Sequence, residues 1–356
     1  MKAVIYTGDK IISVEDRPKP VLLAPTDAIV KILHTTICGT DLHILQGDVP
    51  SCSPGRILGH EGVGVIESLG LAVTNFAMGQ RVLISCITSC GTCYYCRRKM
   101  PSQCESGGWI LGNQIDGTQA EYVRIPHASF SLHPLPDSID PKVAVTLSDT
   151  VPTSYECGIL NGEIQAGSTV AIIGMGPIGL MSLQMARKLF GPSMIVAVGR
   201  GLSRLETARS MGASHTFSVL NGKDNVISSA LATTQERGFD VVIEAVGTVE
   251  SFGIAQALVG PGGTIASLGV FGESCELHLE KLWNRNICMY QAPRIKSLDH
   301  GSSLICFRWL GLRTRLIDAV TTPDLLKMVE VDGIDPSFLV SHSTFSLPGE
   351  DFWSQY

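Results

Sequence analysis

No apolar run in the sequence approaches the roughly 18 residues that a membrane helix requires, so a membrane partner is not expected. The opening Met1-Lys2-Ala3-Val4-Ile5-Tyr6 also lacks the apolar core of a secretory signal, and the expected compartment is the cytoplasm. Basic excess is missing as well. Lys and Arg number 27 against 33 Asp and Glu, a net charge of -6, which gives no general attraction to phosphate backbones or anionic lipid; nucleic acid is not an expected partner. There is no internal repeat, low-complexity tract or block of like charge, so neither a repeat array nor a charged tail is indicated. An even disulfide framework is absent too. The 11 cysteines are odd in number, and Cys86, Cys90, Cys93, Cys96 and Cys104 crowd into one short stretch. Such clustering in a cytoplasmic chain reads as metal binding.

What is present is ordinary globular text, 44% hydrophobic and 17% charged, in a chain of 356 residues that exceeds what one packed core usually absorbs. Two domains are expected. Up to about residue 150 the apolar runs are short and cut by Gly, Pro and polar turns, as in Ala28-Ile29-Val30-Lys31-Ile32-Leu33 and Gln80-Arg81-Val82-Leu83-Ile84, a pattern that suits an irregular β-rich domain. From about residue 167 the rhythm changes. Thr169-Val170-Ala171-Ile172-Ile173, Ile195-Val196-Ala197-Val198, Asp240-Val241-Val242-Ile243-Glu244 and Thr264-Ile265-Ala266-Ser267-Leu268 are buried-strand runs separated by helical stretches. Strands alternating with helices predict a doubly wound parallel sheet, hence an α/β class.

Cys90, Cys93, Cys96 and Cys104 read C-x2-C-x2-C-x7-C. Three cysteines at that spacing arise by composition roughly 0.01 times per chain, before the fourth is required. Four thiolates on a tight loop can close a tetrahedral zinc site with no open position, which makes it structural. The plainer readings are spare core cysteines or a disulfide pair.

Gly174-Met175-Gly176-Pro177-Ile178-Gly179 is G-x-G-x-x-G, a pattern that 37 glycines produce by chance roughly 0.4 times per chain. Its context carries more weight than its letters. It follows a buried strand and opens a helix, where backbone N–H groups can approach a pyrophosphate at the positive helix end. The residue that grips the adenosine ribose should lie at the end of the next strand, where the text is Val198-Gly199-Arg200-Gly201-Leu202-Ser203-Arg204, without a carboxylate. An acid there would repel a 2′-phosphate carrying about -1.5 to -2 charges. Gly199 removes that repulsion, and Arg200 and Arg204 can donate charge-assisted bonds, so NADP is favoured over NAD. The alternative is that both arginines are solvated helix-start residues. Cys38-Gly39-Thr40-Asp41-Leu42-His43, Gly59-His60-Glu61-Gly62 and Asp149 supply a thiolate, an imidazole and carboxylates able to hold a zinc ion with an exchangeable fourth place. Their spacing alone does not separate this from ordinary core or surface residues.

Together these residues resemble the zinc-dependent alcohol dehydrogenases of the medium-chain dehydrogenase/reductase superfamily. The resemblance runs nearly continuously from Met1 to about Met289 and resumes from Arg315 to about Ser341. Its most specific pieces are Gly59-His60-Glu61 with Gly64 and Gly70, the four cysteines, Asp116-Gly117-Thr118-Gln119-Ala120-Glu121-Tyr122, and the glycine fingerprint. It implies a GroES-like, zinc-binding catalytic domain over 1–152, a Rossmann domain over 153–318, and a shortened return to the catalytic domain over 319–356. It implies two zinc ions per chain. Cys38, His60 and Asp149 fall on the catalytic zinc ligands, Asp149 departing from the Cys2His ligation usual in the class. Glu61 falls on a carboxylate that can approach that zinc, Thr40 and His43 on the proton relay, and Asp41 on a hydrogen bond to the far nitrogen of His60. Trp109 and Ile110 match positions lining the substrate pocket. The implied reaction is hydride transfer between a nicotinamide cofactor and a small primary or secondary alcohol, aldehyde or ketone, in a homo-oligomer, dimer or tetramer. A formaldehyde, polyol or sugar dehydrogenase of the same fold is the alternative enzyme. Two departures stand out. The 24 residues Tyr290 to Arg313 interrupt the family pattern, and the text ends short of the usual last helix and strand. The interruption is expected to be a poorly packed excursion outside the sheet. The two departures together leave open an inactive NADP- and zinc-binding protein.

Overall fold

The computed structural model describes residues 1–285, 287–289, 310–314, 316–331 and 333–340. The chain divides into two compact units, Met1–Pro152 with Ile317–Tyr356, and Thr153–Leu316. Among the described residues no helix is long and apolar enough to cross a membrane.

The first unit is built on β1 (Lys2–Gly8), β2 (Ile11–Asp16), β3 (Ala28–Thr35), β4 (Arg56–Ile57), β5 (Gly62–Leu69), β6 (Arg81–Ile84), β7 (Tyr122–Ile125) and β8 (Leu132–Pro134). They form an antiparallel sheet in the order β7-β3-β5-β6-β8 and a smaller one, β2-β1-β4. Apolar residues from successive strands, Val30, Ile66, Val82, Ile84, Val123 and Ile125, meet in one core. Burying each such side chain contributes about 1.5–3 kcal/mol. Strand β3 runs out at Thr35 and the chain turns directly into α1 (Gly39–Gln46), while His60 and Glu61 immediately precede β5. Because Thr35 is paired with Gly62 in the ladder, the Cys38 and His60 segments leave the sheet at the same place. The return segment also belongs here. Its helix Thr322–Glu330 buries Leu325 and Leu326 and lies against the 3-10 turn Val145–Ser148 that leads into Asp149.

The second unit is a parallel sheet of β9 (Thr169–Ile173), β10 (Met194–Gly199), β11 (His215–Ser218), β12 (Phe239–Glu244), β13 (Val259–Ser267), β14 (Ile287–Met289) and β15 (Leu310–Thr314). The order is β11-β10-β9-β12-β13-β15-β14, with every pairing parallel. Val170–Ile173 and Ile195–Val198 are buried residue by residue, as strands covered on both faces must be. The order reverses between β9 and β12, the switch point where such sheets bind ligands at their carboxyl ends.

The expectation that all of 290–313 stands outside the sheet does not hold for its last four residues. Leu310 to Arg313 belong to β15, hydrogen-bonded between β13 and β14. A short apolar run such as Leu310-Gly311-Leu312 can complete a parallel ladder, which accepts continuous apolar text. The rest of that expectation, from Tyr290 to Trp309, lies outside the described residues.

Candidate active site and metal centres

The local chain brings the first donors together. Cys38 caps α1, and its backbone N–H donates to Asp41 Oδ2 at 2.9 Å, satisfying one of the otherwise orphaned amides of the helix start. The Gln119 amide donates to the same oxygen at 2.9 Å. Asp41 is therefore anchored through Oδ2 while Oδ1 faces the His60 ring, 3.8 Å from Nδ1. That is ion-pair range but longer than the hydrogen bond expected from the sequence, because His60 is drawn the other way: its Nε2 lies 3.2 Å from Asp149 Oδ2. Asp149 is delivered by Ser148, whose hydroxyl accepts the N–H of Gly62 at 3.1 Å and whose carbonyl accepts that of Cys86 at 3.2 Å. Thr36 donates its hydroxyl to Glu61 Oε2.

The outcome is one cluster. Ligand atoms of Cys38, His60, Glu61 and Asp149 all lie within 4.8 Å of one another. Burial pushes the Cys38 thiol up, and burial together with the neighbouring Asp149 charge pushes Glu61 up to about 8. Burial disfavours the His60 imidazolium, yet the hydrogen bonds to Asp149 and Cys38 outweigh it and hold that group well above its ordinary value. Two carboxylates, a thiol and an imidazole gathered out of water are costly without a cation among them. The buried Nδ1 of His60 and Oδ1 of Asp41 have no hydrogen-bond partner. Such a set of unlike donors could hold a divalent metal ion.

The sulfurs of Cys90, Cys93, Cys96 and Cys104 also lie within 4.8 Å of one another. Cys90 to Cys96 is 3.9 Å and Cys93 to Cys104 is 4.0 Å. A disulfide needs about 2.05 Å, whereas a tetrahedron with 2.3 Å metal–sulfur bonds places its sulfurs about 3.8 Å apart. The disulfide alternative drops out, and all four are free cysteines. Backbone N–H groups of Cys90, Cys93 and Cys96 point at sulfurs of the set at 3.3–3.5 Å. Burial opposes ionisation of Cys90, but the backbone bonds from Thr92 and Cys93 prevail and bring it down to about 5. Backbone donors lower Cys93 as well, while burial and the neighbouring sulfur of Cys93 push the Cys96 thiol up.

Beside the first cluster, the Trp109 ring stands edge-on to His60, centroids 6.0 Å apart, with its buried Nε1 unpartnered. Ile110 follows it, half-buried. Thr40 and His43 are one turn apart on α1; Cys38 Sγ lies 3.5 Å from Thr40 Oγ1.

In the second unit the fingerprint glycines have distinct local reasons. Gly174 sits at φ +97°, and a Cβ on Gly179 would fall 1.8 Å from the Gly174 carbonyl oxygen. A Cβ on Gly176 would meet nothing within 4 Å. That space lies at the start of the helix Pro177–Met185, whose first residue is a proline where the missing N–H is not needed. Free N–H groups, a positive helix end and an open approach are what a pyrophosphate requires, so the residues fit a dinucleotide. Gly199 ends β10; Arg200 and Arg204 are exposed and, among the described residues, have no ion-pair partner.

Known proteins match this arrangement. The family described as alcohol dehydrogenase GroES-like domain matches residues 24–137, and that described as zinc-binding dehydrogenase matches residues 177–299. An alcohol dehydrogenase of Cupriavidus necator is 39% identical over 295 residues, 78% of this chain and 79% of its own. The chain belongs to the zinc-type alcohol dehydrogenases. Another relative, the NADP-dependent isopropanol dehydrogenase of Thermoanaerobacter brockii, is 33% identical over 333 residues, 92% of this chain and 87% of its own. Zinc dependent alcohol dehydrogenase 2 from Streptococcus pneumonia, in its apo form, superposes with a TM-score of 0.84 at 42% identity, covering 95% of this chain and 89% of that one. As a zinc-type alcohol dehydrogenase the protein is an oxidoreductase that uses zinc and a nicotinamide cofactor on small alcohols or carbonyls.

Three contacts that hold these sequence-predicted residues escape a reading of the sequence. Thr36 holds Glu61, Gln119 holds Asp41, and Asp48 Oδ2 lies 2.8 Å from His43 Nδ1. Gln119 and Asp41 are 78 positions apart, so no local pattern links them. Asp48 alone had a signal, a glycine-aspartate pair just after the helix that carries His43.

Proposed function

We propose that this enzyme interconverts small primary or secondary alcohols with the corresponding aldehydes or ketones, using NADP(H) in preference to NAD(H). The carrying observation is the buried cluster of Cys38, His60, Glu61 and Asp149 within 4.8 Å, with a second set of four thiols apart from it. In this reading Cys38, His60 and Asp149 hold a catalytic zinc, Glu61 is its exchangeable ligand, and Cys90, Cys93, Cys96 and Cys104 hold a structural zinc, giving two per chain. A zinc ion in the first set supplies Lewis acidity toward the alcohol or carbonyl oxygen, and the nicotinamide supplies the hydride acceptor or donor.

The protein's own residues do the rest. Asp41 steadies the His60 ring from its Nδ1 side, anchored in turn by Cys38 N–H and Gln119. Thr40 and His43 pass the hydroxyl proton toward solvent. Trp109 presents apolar surface beside His60, and with Ile110 next to it in the chain suits a small apolar substrate. The glycine turn and the helix start at Pro177 receive the pyrophosphate, and Gly199, Arg200 and Arg204 receive the 2′-phosphate. The likeness to an NADP-dependent isopropanol dehydrogenase supports both the secondary-alcohol and the NADP reading. A panel of alcohols and ketones with NADPH and NADH, followed at the nicotinamide absorbance, tests it together with zinc stoichiometry. Turnover only on formaldehyde or on polyols, or zinc at one per chain, would refute the corresponding part.

A further inference from the structure

The end of α1 pairs His43, the relay residue proposed above, with Asp48. His43 lies in the last turn of the helix, and Gly47 closes it in the left-handed region, φ 90° and ψ 8°. The Gly47 N–H donates to the Ile44 carbonyl and the Asp48 N–H to the His43 carbonyl, each at 3.0 Å. The chain thereby doubles back so that Asp48 meets the residue it has just passed. Asp48 Oδ2 stands 2.8 Å from His43 Nδ1, and each side chain keeps 25% of its surface exposed. The pair is sheltered enough to hold one geometry and open enough to exchange a proton with water. An ionised carboxylate only accepts, so the proton in this contact is the imidazole's, on Nδ1. The lone pair of neutral His43 is then on Nε2. A free imidazole prefers the opposite arrangement, and the partner of one nitrogen decides the state of the other.

We propose that Asp48 is a positioning residue for proton transfer: it fixes His43 in the Nδ1–H tautomer, presents Nε2 as the acceptor, and offsets the charge His43 gains. This rests on the relay role proposed above for Thr40 and His43. During alcohol oxidation the substrate O–H bond breaks and its proton passes by way of the Thr40 hydroxyl to His43 Nε2, where an N–H bond forms. The electron pair of the substrate C–H bond leaves as hydride to the oxidised nicotinamide, and the carbon–oxygen bond becomes C=O. The imidazolium gives its Nε2 proton to water. Carbonyl reduction runs the same steps in reverse.

The test compares wild type, Asp48→Ala and Asp48→Asn as full-length, zinc-loaded proteins with 15N-labelled histidine. Ring-nitrogen NMR of His43 reports the tautomer, and steady-state kinetics are read in parallel. Wild type should show Nδ1–H; Asp48→Ala should show Nε2–H and lose about tenfold or more in kcat, with KM and NADPH binding little changed. Asp48→Asn keeps an acceptor without the charge, so it should retain Nδ1–H with kcat between the two. The same tautomer in Asp48→Ala, or wild-type kcat in that variant, overturns the proposal. If Asp48→Ala does not fold, wild-type kcat in the nearly isosteric Asp48→Asn overturns the charge-offsetting role. Full turnover by His43→Ala would instead remove the relay reading itself, while the ring-nitrogen signature still reports on Asp48.

Discussion

Cofactor choice offers the sharpest test of the reasoning, because it turns on one missing carboxylate. Gly199 ends β10 with Arg200 next to it and Arg204 in the first turn of the helix Leu202–Ser210. Each charge-assisted bond to a phosphate contributes about 1.5–3 kcal/mol, and both guanidinium groups are exposed, so the lower figure applies. One bond at about 1.5 kcal/mol predicts a roughly tenfold preference in kcat/KM for NADPH over NADH, and two predict roughly 150-fold. Screening should narrow that ratio as salt rises, since the Debye length falls to about 3 Å at 1 M. Gly199→Asp should reverse the preference by accepting the ribose hydroxyl and repelling the phosphate. A Cβ there would lie 3.1 Å from Met175 Cγ, so that side chain must yield by a few tenths of an ångström. A melting curve alongside the kinetics separates that packing cost from the cofactor effect. Arg200→Gln with Arg204→Gln probes the same site with no crowding, and should lower the ratio toward one. Equal use of NADPH and NADH by wild type, or an unchanged ratio in the double variant, would refute the argument.

Three other outcomes are expected. Cys93→Ser should remove one zinc per chain and lower the melting temperature by at least about 5 °C, read by metal analysis and calorimetry, because a closed thiolate site contributes folding energy directly. Asp149→Ala should cut turnover about a hundredfold or more while leaving the melting temperature and the four-cysteine zinc in place, with His60→Ala at least as severe; retained activity in either would remove that residue from the metal site. His133, half-buried on β8, is held down to about 4 by burial. Below about pH 6.5 the unfolded chain takes up a proton that the folded chain refuses, so stability falls as pH drops toward 4, by up to about 3 kcal/mol. Denaturant unfolding of wild type and His133→Asn across that range should show the difference closing in the variant.

How much of this was legible beforehand follows the range of the interactions. The four cysteines lie within one loop, so their spacing alone encodes a tetrahedral set, and the sulfurs meet near the separation that a 2.3 Å metal–sulfur bond demands. The glycine fingerprint is equally local, since strand, turn and helix start are contiguous and a side chain at Gly179 would strike the Gly174 carbonyl. Parallel strands reveal themselves by continuous apolar runs, because both of their faces are buried. Leu310 to Arg313 misled for the same reason: an apolar run says that a segment wants cover, and only the pairing with β13 and β14 says where it finds it.

The cluster around His60 lies at the other extreme. Cys38, His60 and Asp149 come from separate segments, and from their residue types alone they were ordinary. It is the pairing of Thr35 with Gly62, and the hold of Ser148 on Gly62 across 86 positions, that carries their ligand atoms to within a few ångströms of one another. The orientation of each ligand depends on contacts longer still in sequence, such as Gln119 on Asp41. Residue identity and short spacing thus determined which chemistry the chain can perform, because those follow from bonds and torsions within one turn. Tertiary structure decided which donors share a site and which way each one faces, because burial and hydrogen bonding between distant segments set both.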